Sequence, residues 1–361
     1  MPVIVDSYPT DHPSDVSKLE KILSALPIDR IERLALIGKT EGTATINDFS
    51  RELAVDAVQT SIRHFGGDEL LGRSTIIFST GCEGILSPSV YVLATIKDEE
   101  NLTNGPYQLT MGGAQTRMLA AEELATNVQI KLVAGAVNAA LKEAALKPDQ
   151  TSLVLVKSPI LTPNDAALTG DPAVMSRAGI SGLSRGAAAL GVAIALGELE
   201  IENIKDIDIG KDFNKYATRA MTFSGTEVKH CEVLVLGNRQ GANGTSRIYS
   251  RQLNDILDTR SLKALFCEAG CNLDEIGELV GKEILQAVLL KAGIAPDGRV
   301  RGERTTVYQS EVDPDKHMRA SASGVVGSLL GTGRIFVSGG TEHQAPPGGG
   351  ICACIVDTKS P

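Results

Sequence analysis

The feature that most constrains this chain is a short pattern that occurs three times: an apolar, strand-like segment runs into a serine that is followed by small residues. The copies read IIFSTGCEG at residues 76–84, MTFSGTE at residues 221–227 and IFVSGGTEH at residues 335–343. Internal repetition of this kind is an architectural signal even where side chains differ. The pattern predicts three structural repeats around a shared centre, to which each repeat contributes one serine: Ser79, Ser224 and Ser338.

Each serine belongs to a longer unit that also carries a lysine at the end of a strand-like segment and an arginine at the start of a helix-like one. The order lysine, arginine, serine is the same in every unit, and the two intervals between successive arginines are equal. The sequence therefore predicts an α/β fold of three similar units at residues 1–103, 104–248 and 249–361. The lysines are Lys39, Lys157 and Lys291, and the arginines are Arg51, Arg185 and Arg319.

Hydrophobic periodicity and turn-forming residues divide each unit into elements. Apolar residues at helical spacing alternate along the chain with short apolar runs typical of buried strands. Segments rich in glycine and polar residues are interpreted as connections. We expect helices at 15–26, 51–66, 117–146, 184–199, 275–286 and 318–330, strands at 34–39, 75–78, 153–157, 231–236, 287–291 and 351–356, and connections at 96–113 and 237–246.

Charge and composition exclude several functional classes. The net charge of -9 leaves no basic excess to neutralise phosphates, so we expect no nucleic-acid partner. No apolar run reaches the roughly 18 residues that a membrane span needs, and the N-terminus lacks the basic and apolar regions of a secretory signal. The 6 cysteines form no CxxC pair and are expected to be reduced. These features predict a cytoplasmic protein with a small-molecule ligand and no membrane contact.

The three residue types that recur can together break an amide bond. A serine hydroxyl becomes a nucleophile when a base removes its proton, and the 5 histidines do not recur with the serines. A lysine can act as that base if burial and neighbouring positive charges lower its pKa. Arginine forks suit carbonyl oxygens, and backbone N–H groups of the serine turns can stabilise a tetrahedral oxyanion. The combination predicts amide or acyl cleavage of a small, oxygen-rich molecule.

Each of these residues has an ordinary structural interpretation when it is taken singly. A strand-end lysine usually lies at a solvated rim, and a Phe-Ser-Gly segment is often only a turn. The repetition in a fixed order is what favours a functional site. Three other motifs fail: Arg33 replaces the first glycine that a phosphate-binding loop ending in Gly38-Lys39-Thr40 would need, no strand precedes the G-x-S-x-G sequence at 182–186, and Cys82 occurs in one unit only.

Three segments carry a resemblance to a known family. The most specific is VSGGTEHQAPPGGG at residues 337–350, and SRGA at residues 184–187 and DGRVRG at residues 297–302 support it. With these segments the chain resembles, over nearly its whole length, the cyanuric acid hydrolase/barbiturase family of ring-opening cyclic amide hydrolases. The resemblance implies a three-domain barrel with pseudo-threefold symmetry, in which each domain contributes one lysine, one arginine and one serine to a central pocket.

The resemblance also implies individual roles. Ser224 would be the nucleophile and Lys157 its base, with Lys39 and Lys291 completing the ring of lysines. It further implies a homotetramer and a structural Mg²⁺ or Ca²⁺ ion at the C-terminal loop, with no cofactor for catalysis. The substrate would be held by Arg51, Ser79, Thr80, Arg185, Gly225, Arg319, Ser338 and Gly339, and the ion by carbonyl groups of Thr341, Gln344, Ala345, Pro346 and Gly349.

The implied activity is opening of the s-triazine ring of cyanuric acid to carboxybiuret, which loses carbon dioxide to give biuret. Two alternatives stay open at this point: a barbiturase with the same machinery, and a non-catalytic protein that binds planar oxo-heterocycles. One departure from the family pattern is that the first turn reads Ser79-Thr80 where the others read serine-glycine. A side chain therefore stands at that edge of the expected pocket.

Overall fold

Three four-stranded sheets form the framework of the protein, and each is built from one continuous part of the chain. The computed structural model describes residues 2–82, 84–97, 106–241, 244–306 and 314–359. The strands are β1 Val3–Pro9, β2 Ile31–Glu41, β3 Ser74–Gly81 and β4 Ser89–Ile96 in sheet 1; β5 Tyr107–Gln115, β6 Thr151–Pro159, β7 Ala220–Gly225 and β8 Glu232–Gln240 in sheet 2; β9 Ser246–Leu253, β12 Leu285–Ala292, β15 Phe336–Gly339 and β16 Gly350–Asp357 in sheet 3; and two short hairpins, β10 Asn272–Leu273 with β11 Leu279–Val280 and β13 Arg299–Val300 with β14 Glu303–Arg304.

The three sheets share one topology. In each, the first strand pairs antiparallel with the fourth, the fourth antiparallel with the second, and the second parallel with the third. The parallel pairs are β2 with β3, β6 with β7 and β12 with β15. Because parallel strands end at the same edge of a sheet, the strand that carries the lysine and the strand that carries the serine end side by side in every sheet.

The outer face of each sheet is covered by two helices. Sheet 1 packs against α1 and α2, sheet 2 against α3 and α6, and sheet 3 against α7 and α8. No helix in the described residues is long and apolar enough to cross a membrane. The helices are α1 Ser17–Ala25, α2 Ser50–Gly72, α3 Asn127–Ala144, α4 Pro163–Thr169, α5 Pro172–Met175, α6 Ser181–Ala195, α7 Thr259–Glu268 and α8 Pro314–Leu330, and short 3-10 helices span Ile28–Arg30, Ala121–Glu123, Pro148–Gln150, Ile201–Asn203, Asp206–Asp208 and Lys282–Ile284.

The inner faces of the three sheets pack against one another in a single core. Alternate residues along each strand point inward, as the two-residue period of a strand requires. The rings of Phe223 from sheet 2 and Phe336 from sheet 3 meet edge to face, with centroids 5.5 Å apart. Burial of each such side chain contributes roughly 1.5–3 kcal/mol. Packing at this centre therefore fixes how the three sheet edges meet.

The small residues of α6 allow its close approach to the neighbouring helix α3. A Cβ at Gly191 would lie 2.7 Å from the carbonyl oxygen of Ile130, so a larger residue would push the two helices apart. Arg185 lies in the first turns of α6, and the position of this helix therefore decides where the Arg185 guanidinium lies.

Several predicted elements are confirmed, and two predictions are wrong. The helix expected at 275–286 is instead the β10–β11 hairpin and a 3-10 turn, because Gly277 and Gly281 adopt left-handed φ values of 81° and 75°. The connection expected at 96–113 contains most of β5. Residues 98–105 of this segment lie outside the described residues. Gly112 and Gly113 are strand residues, and Gly112 lies so close to α3 that a Cβ would overlap the Ala140 carbonyl group.

Three other boundaries move. The helical region expected at 117–146 contains only α3 and a 3-10 turn, since Thr126 caps α3 by accepting a hydrogen bond from the backbone of Val128 at 3.2 Å. The expected connection at 237–246 includes the end of β8. Helix α6 begins at Ser181, three residues before the predicted start.

Candidate active site

A cavity of about 620 Å³ lies where the edges of the three sheets meet. Ten of the residues predicted for the site line it, and they come from all three sheets and their helices. Two of the residues predicted to hold the ion, Thr341 and Ala345, also line the cavity, and the remaining predicted site residues do not. The ten residues are Arg51, Ser79, Thr80, Lys157, Arg185, Ser224, Lys291, Arg319, Ser338 and Gly339.

Lys39 and Gly225 are buried next to this cavity without lining it. Lys39 is 2% exposed and lies beside Ser79 in the register of β2 and β3. Gly225 ends β7 immediately after Ser224. The structure therefore brings two of the three predicted lysines, all three arginines and all three serines into contact with one cavity.

Lys291 and two serines form a hydrogen-bonded cluster in the cavity. The Nζ of Lys291 donates to Oγ of Ser338 at 3.2 Å, and Oγ of Ser79 donates to the same oxygen at 3.2 Å. Burial lowers the pKa of Lys291 well below its usual value, and the Arg185 guanidinium lowers it further. A fully buried amine of this kind is held toward its neutral form, in which its nitrogen can accept a proton.

Lys157 has different partners. Its Nζ donates to the Phe78 carbonyl at 2.9 Å and lies 2.5 Å from Oε1 of Glu227. Burial lowers the pKa of Lys157 to about 8, against the opposing effect of Glu227, and Arg51 lowers it further. The sequence expectation of lysines with lowered pKa values thus agrees with the structure, and burial rather than charge repulsion is the larger cause.

Ser224 lines the same cavity as Lys157 but is hydrogen-bonded elsewhere. Its Oγ donates to the Ser181 carbonyl at 3.2 Å. In the parallel pair of sheet 2, Lys157 lies beside Phe223, and Ser224 lies beside Ser158. Sheets 1 and 3 instead place Ser79 beside Lys39 and Ser338 beside Lys291, so sheet 2 is shifted by one residue. Lys157 and Ser224 each donate to a backbone carbonyl, and proton transfer from Ser224 to Lys157 stays a prediction.

Thr80, the departure from the serine-glycine pattern, turns its hydroxyl away from the ring of serines. Its Oγ1 lies 3.0 Å from Oγ of Ser50 and donates to Oδ2 of Asp48 at 3.4 Å. The side chain is 1% exposed. The hydroxyl of Thr80 therefore fastens the β3 turn to the start of α2, which carries Arg51.

A carboxylate accompanies each of the three arginines. Nε of Arg51 lies 3.4 Å from Oε2 of Glu227, and Nε of Arg319 lies 3.3 Å from Oδ2 of Asp315. Arg185 holds Glu342 in a bidentate pair, with Nε–Oε2 of 3.0 Å and Nη2–Oε1 of 2.8 Å. These carboxylates offset the charge of the guanidinium groups. Because Glu227 also faces Lys157 and burial lowers the pKa of both lysines, the cavity suits a polar ligand of low net charge rather than a polyanion.

Sequence reasoning missed these acidic residues, although a signal for two of them was present. A glutamate follows each serine of the repeated turn by three or four residues: Glu227 after Ser224, Glu342 after Ser338, and Glu83 after Ser79. Glu83 lies outside the described residues. Asp315 has no counterpart in this pattern, because its place one helical turn before Arg319 on α8 sets its contact.

The loop at residues 340–349 is held by its own side chains. Gln344 is fully buried, accepts a hydrogen bond from the Thr222 backbone at 2.7 Å and donates to the Gly340 carbonyl at 2.9 Å. The His343 ring lies 2.6 Å from the Lys215 carbonyl through Nδ1 and accepts from the Gly210 backbone at 2.8 Å through Nε2. This part of the family-like segment therefore ties sheet 3 to sheet 2.

The residues predicted to hold a divalent cation do not fit that ion well. The proposed donors in Thr341, Gln344, Ala345, Pro346 and Gly349 are neutral oxygens, whereas Mg²⁺ and Ca²⁺ sites usually include carboxylates. Glu342, the carboxylate in this loop, is paired with Arg185. Within the described residues there is no group of three His, Cys, Asp or Glu side chains that could hold a metal ion. No catalytic step is assigned to a cation.

Nearly the whole chain is similar to one family of known proteins. The family described as amidohydrolase ring-opening proteins matches residues 4–357. The chain belongs to this family. The resemblance inferred from residues 337–350 and the two supporting segments is thereby confirmed, and with it the assignment to hydrolases that act on cyclic amides.

Relatives of this ring-opening amidohydrolase align along nearly its full length. A cyclic amide hydrolase of Azorhizobium caulinodans is 36% identical over 99% of this chain and 100% of its own length. A cyanuric acid amidohydrolase of Bradyrhizobium diazoefficiens is 36% identical over 96% of this chain and 95% of its own. The crystal structure of cyanuric acid hydrolase from A. caulinodans has a TM-score of 0.89 at 33% identity, with 99% of both chains covered. The α/β architecture of three sheets is therefore that of a solved hydrolase.

Proposed function

We propose that this amidohydrolase opens the ring of cyanuric acid by hydrolysing one ring C–N bond. The observation that carries the proposal is the cavity in which Arg51, Arg185 and Arg319 converge from three helices, each of which packs on a different sheet. Cyanuric acid is a planar ring with three carbonyl groups related by threefold symmetry, so three guanidinium groups match its three oxygens. Relatives that carry this name are similar over nearly the whole chain.

The proposed chemistry uses a serine as the nucleophile and a neutral lysine as the base. Lys157 removes the proton from Ser224, whose oxygen then attacks a ring carbonyl carbon. The resulting oxyanion is stabilised by an arginine and by the backbone N–H groups of the serine turn. Collapse breaks the C–N bond, and protonated Lys157 returns its proton to the departing nitrogen. Water then hydrolyses the ester to give carboxybiuret, which loses carbon dioxide to become biuret.

The proposal extends to the symmetry of the site. The three sheets share one topology and one core, and this arrangement supports a barrel of three similar units about a pseudo-threefold axis. The units would correspond to residues 1–103, 104–248 and 249–361. A symmetric cage of this kind can hold a symmetric ring in three equivalent orientations. The three carbonyl groups of the bound ring are then equivalent, and the one that reacts is the one that lies next to the catalytic serine and lysine.

Ser338 is the strongest competitor for the role of nucleophile, because a specific contact favours it. It is hydrogen-bonded to Lys291, whose pKa is also lowered. Ser224 is retained as the proposed nucleophile since the resemblance assigns it that role and the pKa of Lys157, about 8, suits a base that must later return its proton.

The test of the proposed function is a side-by-side assay of the purified protein with cyanuric acid and barbituric acid. Loss of substrate absorbance and formation of biuret are followed by chromatography. We expect turnover of cyanuric acid with biuret as the product. Turnover of barbituric acid alone would make the protein a barbiturase, and binding of either ring without opening at high protein concentration would make it a binding protein.

Two further expectations belong to the proposal: assembly into a homotetramer and a cytoplasmic location. Light scattering coupled to size-exclusion chromatography measures the first directly. A monomer that turns over cyanuric acid at the full rate would show that assembly is dispensable for the site.

A further inference from the structure

Glu227 is a buried carboxylate that contacts two different parts of the candidate site. Its side chain is 4% exposed. Oε1 lies 2.5 Å from Nζ of Lys157 on sheet 2, and Oε2 lies 3.4 Å from Nε of Arg51 on α2, which packs on sheet 1. One carboxylate therefore links the amine and the guanidinium across the boundary between two sheets.

The local sequence shapes this contact. A Cβ on Gly225 would overlap the Glu227 carboxylate, so glycine at this position allows the glutamate to fold back over the turn. The hydroxyl of Thr226 donates to Oε1 of Glu52 and fastens the same turn to α2. Gly225 thus leaves room for the Glu227 carboxylate, and Thr226 holds the same turn against α2.

We propose that Glu227 is a positioning residue that fixes the Lys157 amine and the Arg51 guanidinium relative to each other. Its contribution to ring opening rests on the proposed function, whereas the coupling itself rests on the contacts alone. Arg51 would lose its carboxylate partner and Lys157 its ion pair in a single substitution. We therefore expect the orientation of one substrate carbonyl and the reactivity of the amine to change together.

The electrostatic consequence follows from the groups that face Lys157. Burial and Arg51 favour the neutral amine, while Glu227 and, more weakly, Glu52 favour the ammonium form. Glu227 therefore opposes complete neutralisation of the amine. An amine poised near neutrality can both accept a proton and return it, which a strongly neutral or strongly charged amine does poorly.

Lys291 provides an internal contrast. It is as deeply buried as Lys157, but among the described residues it has no ion pair, and its hydrogen bond goes to Ser338. The nearby Glu342 is held by Arg185. Lys157 thus forms an ion pair with a carboxylate, whereas Lys291 bonds to a serine. The role proposed for Glu227 therefore has no counterpart at Lys291.

The test compares Glu227→Gln with Glu342→Gln, a matched control that removes a carboxylate from an arginine but not from Lys157. Competitive labelling with acetic anhydride across pH, read by peptide mass spectrometry, gives the titration midpoint of the Lys157 amine without any need for turnover. We expect Glu227→Gln to lower this midpoint by about one pH unit or more, since the remaining influences favour the neutral amine. Glu342→Gln should leave it within about 0.3 units.

Kinetics provide a second readout. In Glu227→Gln the acid limb of kcat/KM should move to lower pH by the same amount, while the plateau falls about tenfold or more because Arg51 and Lys157 are no longer aligned. A folded variant with an unchanged Lys157 midpoint would overturn the proposal. If Glu227→Gln does not fold, Glu227→Asp provides the test, because aspartate keeps the negative charge but has a shorter side chain. A Lys157 midpoint in Glu227→Asp equal to that of the unsubstituted protein would also overturn the proposal. If the unsubstituted protein opens no ring, the proposed function fails, but the labelling result still stands.

Discussion

Lys291 donates a hydrogen bond from Nζ to Oγ of Ser338 over 3.2 Å, whereas Lys157 and Ser224, which line the same cavity, bond to other groups. Ser224 and Ser338 are therefore both candidates for the nucleophile. One is supported by a direct contact with a buried lysine, and the other by family resemblance and a suitably poised base. Single substitutions can separate them.

Ser224→Ala is expected to lower kcat for cyanuric acid by about 10³-fold or more, as removal of a nucleophile does in other hydrolases. Ser338→Ala and Ser79→Ala should cost about 10- to 100-fold, since they remove contacts to substrate. Ser184→Ala is the control, because Ser184 is buried on α6 but does not line the cavity. It should affect stability more than kcat. A loss confined to Ser338→Ala would transfer the role to Ser338 and Lys291.

The pH profile should report the base. Because only the neutral amine accepts a proton, kcat/KM is expected to rise with pH through about 8, the pKa of Lys157, and then to level off. Lys157→Met should abolish turnover and leave no such rise in any residual rate. Initial rates from pH 6 to 10 provide the measurement. A rate that falls across this range would show that an ammonium, not an amine, is the active form.

Arg185→Lys is expected to raise KM about tenfold or more with a smaller effect on kcat, because lysine cannot reproduce a planar fork that holds Glu342 and faces the substrate. Arg117→Lys is the matched control. Arg117 also holds a glutamate, Glu123, in a bidentate pair, but it is exposed and lines no part of the cavity. Equal effects of the two substitutions would mean that Arg185 is structural.

Two glycine substitutions should have opposite effects on stability. A Cβ at Gly225 would overlap the Glu227 carboxylate, so Gly225→Ala should destabilise the fold by about 1–3 kcal/mol and impair turnover. Nothing lies within 4 Å of a Cβ at Gly135 in the middle of α3, so Gly135→Ala should stabilise the fold by about 0.5–1 kcal/mol. Urea unfolding measures both. Unchanged stability and activity in Gly225→Ala would show that the turn tolerates a different path for Glu227.

Removal of divalent ions is expected to have little effect. Gln344 and His343 hold the C-terminal loop through hydrogen bonds, and its proposed cation donors are all neutral. Excess EDTA should shift Tm by less than about 1 °C, whereas Gln344→Ala should lower it by several degrees, about what loss of buried hydrogen bonds costs. A fall in Tm with EDTA that Mg²⁺ or Ca²⁺ reverses would establish the structural ion after all.

The sequence predicted the composition of the site better than its contacts. The recurring order of lysine, arginine and serine names nine side chains, and eight of them line the cavity. This part was predictable because strand ends and helix starts are encoded by local patterns. It did not reveal that β7 is shifted by one residue, so that Phe223 instead of Ser224 lies beside Lys157. Register between distant strands depends on packing across the sheet, which no local pattern records.

Glycine was the main source of error in the fold. The glycines near residue 112 favour a connection in the sequence, yet Gly112 is a strand residue that allows β5 to lie against α3. The helix expected at 275–286 contains Gly277 and Gly281, yet both glycines adopt left-handed φ values. The same residue type serves both purposes, and only the tertiary neighbours decide which one applies.

The most direct test of the account is to trap the covalent intermediate. A single-turnover reaction with cyanuric acid is quenched in acid at successive times, digested, and analysed by peptide mass spectrometry. The account predicts an acyl adduct on the peptide that contains Ser224, which appears and decays at rates compatible with kcat. An adduct on the peptide of Ser79 or Ser338, or turnover with no adduct at any time, would contradict it.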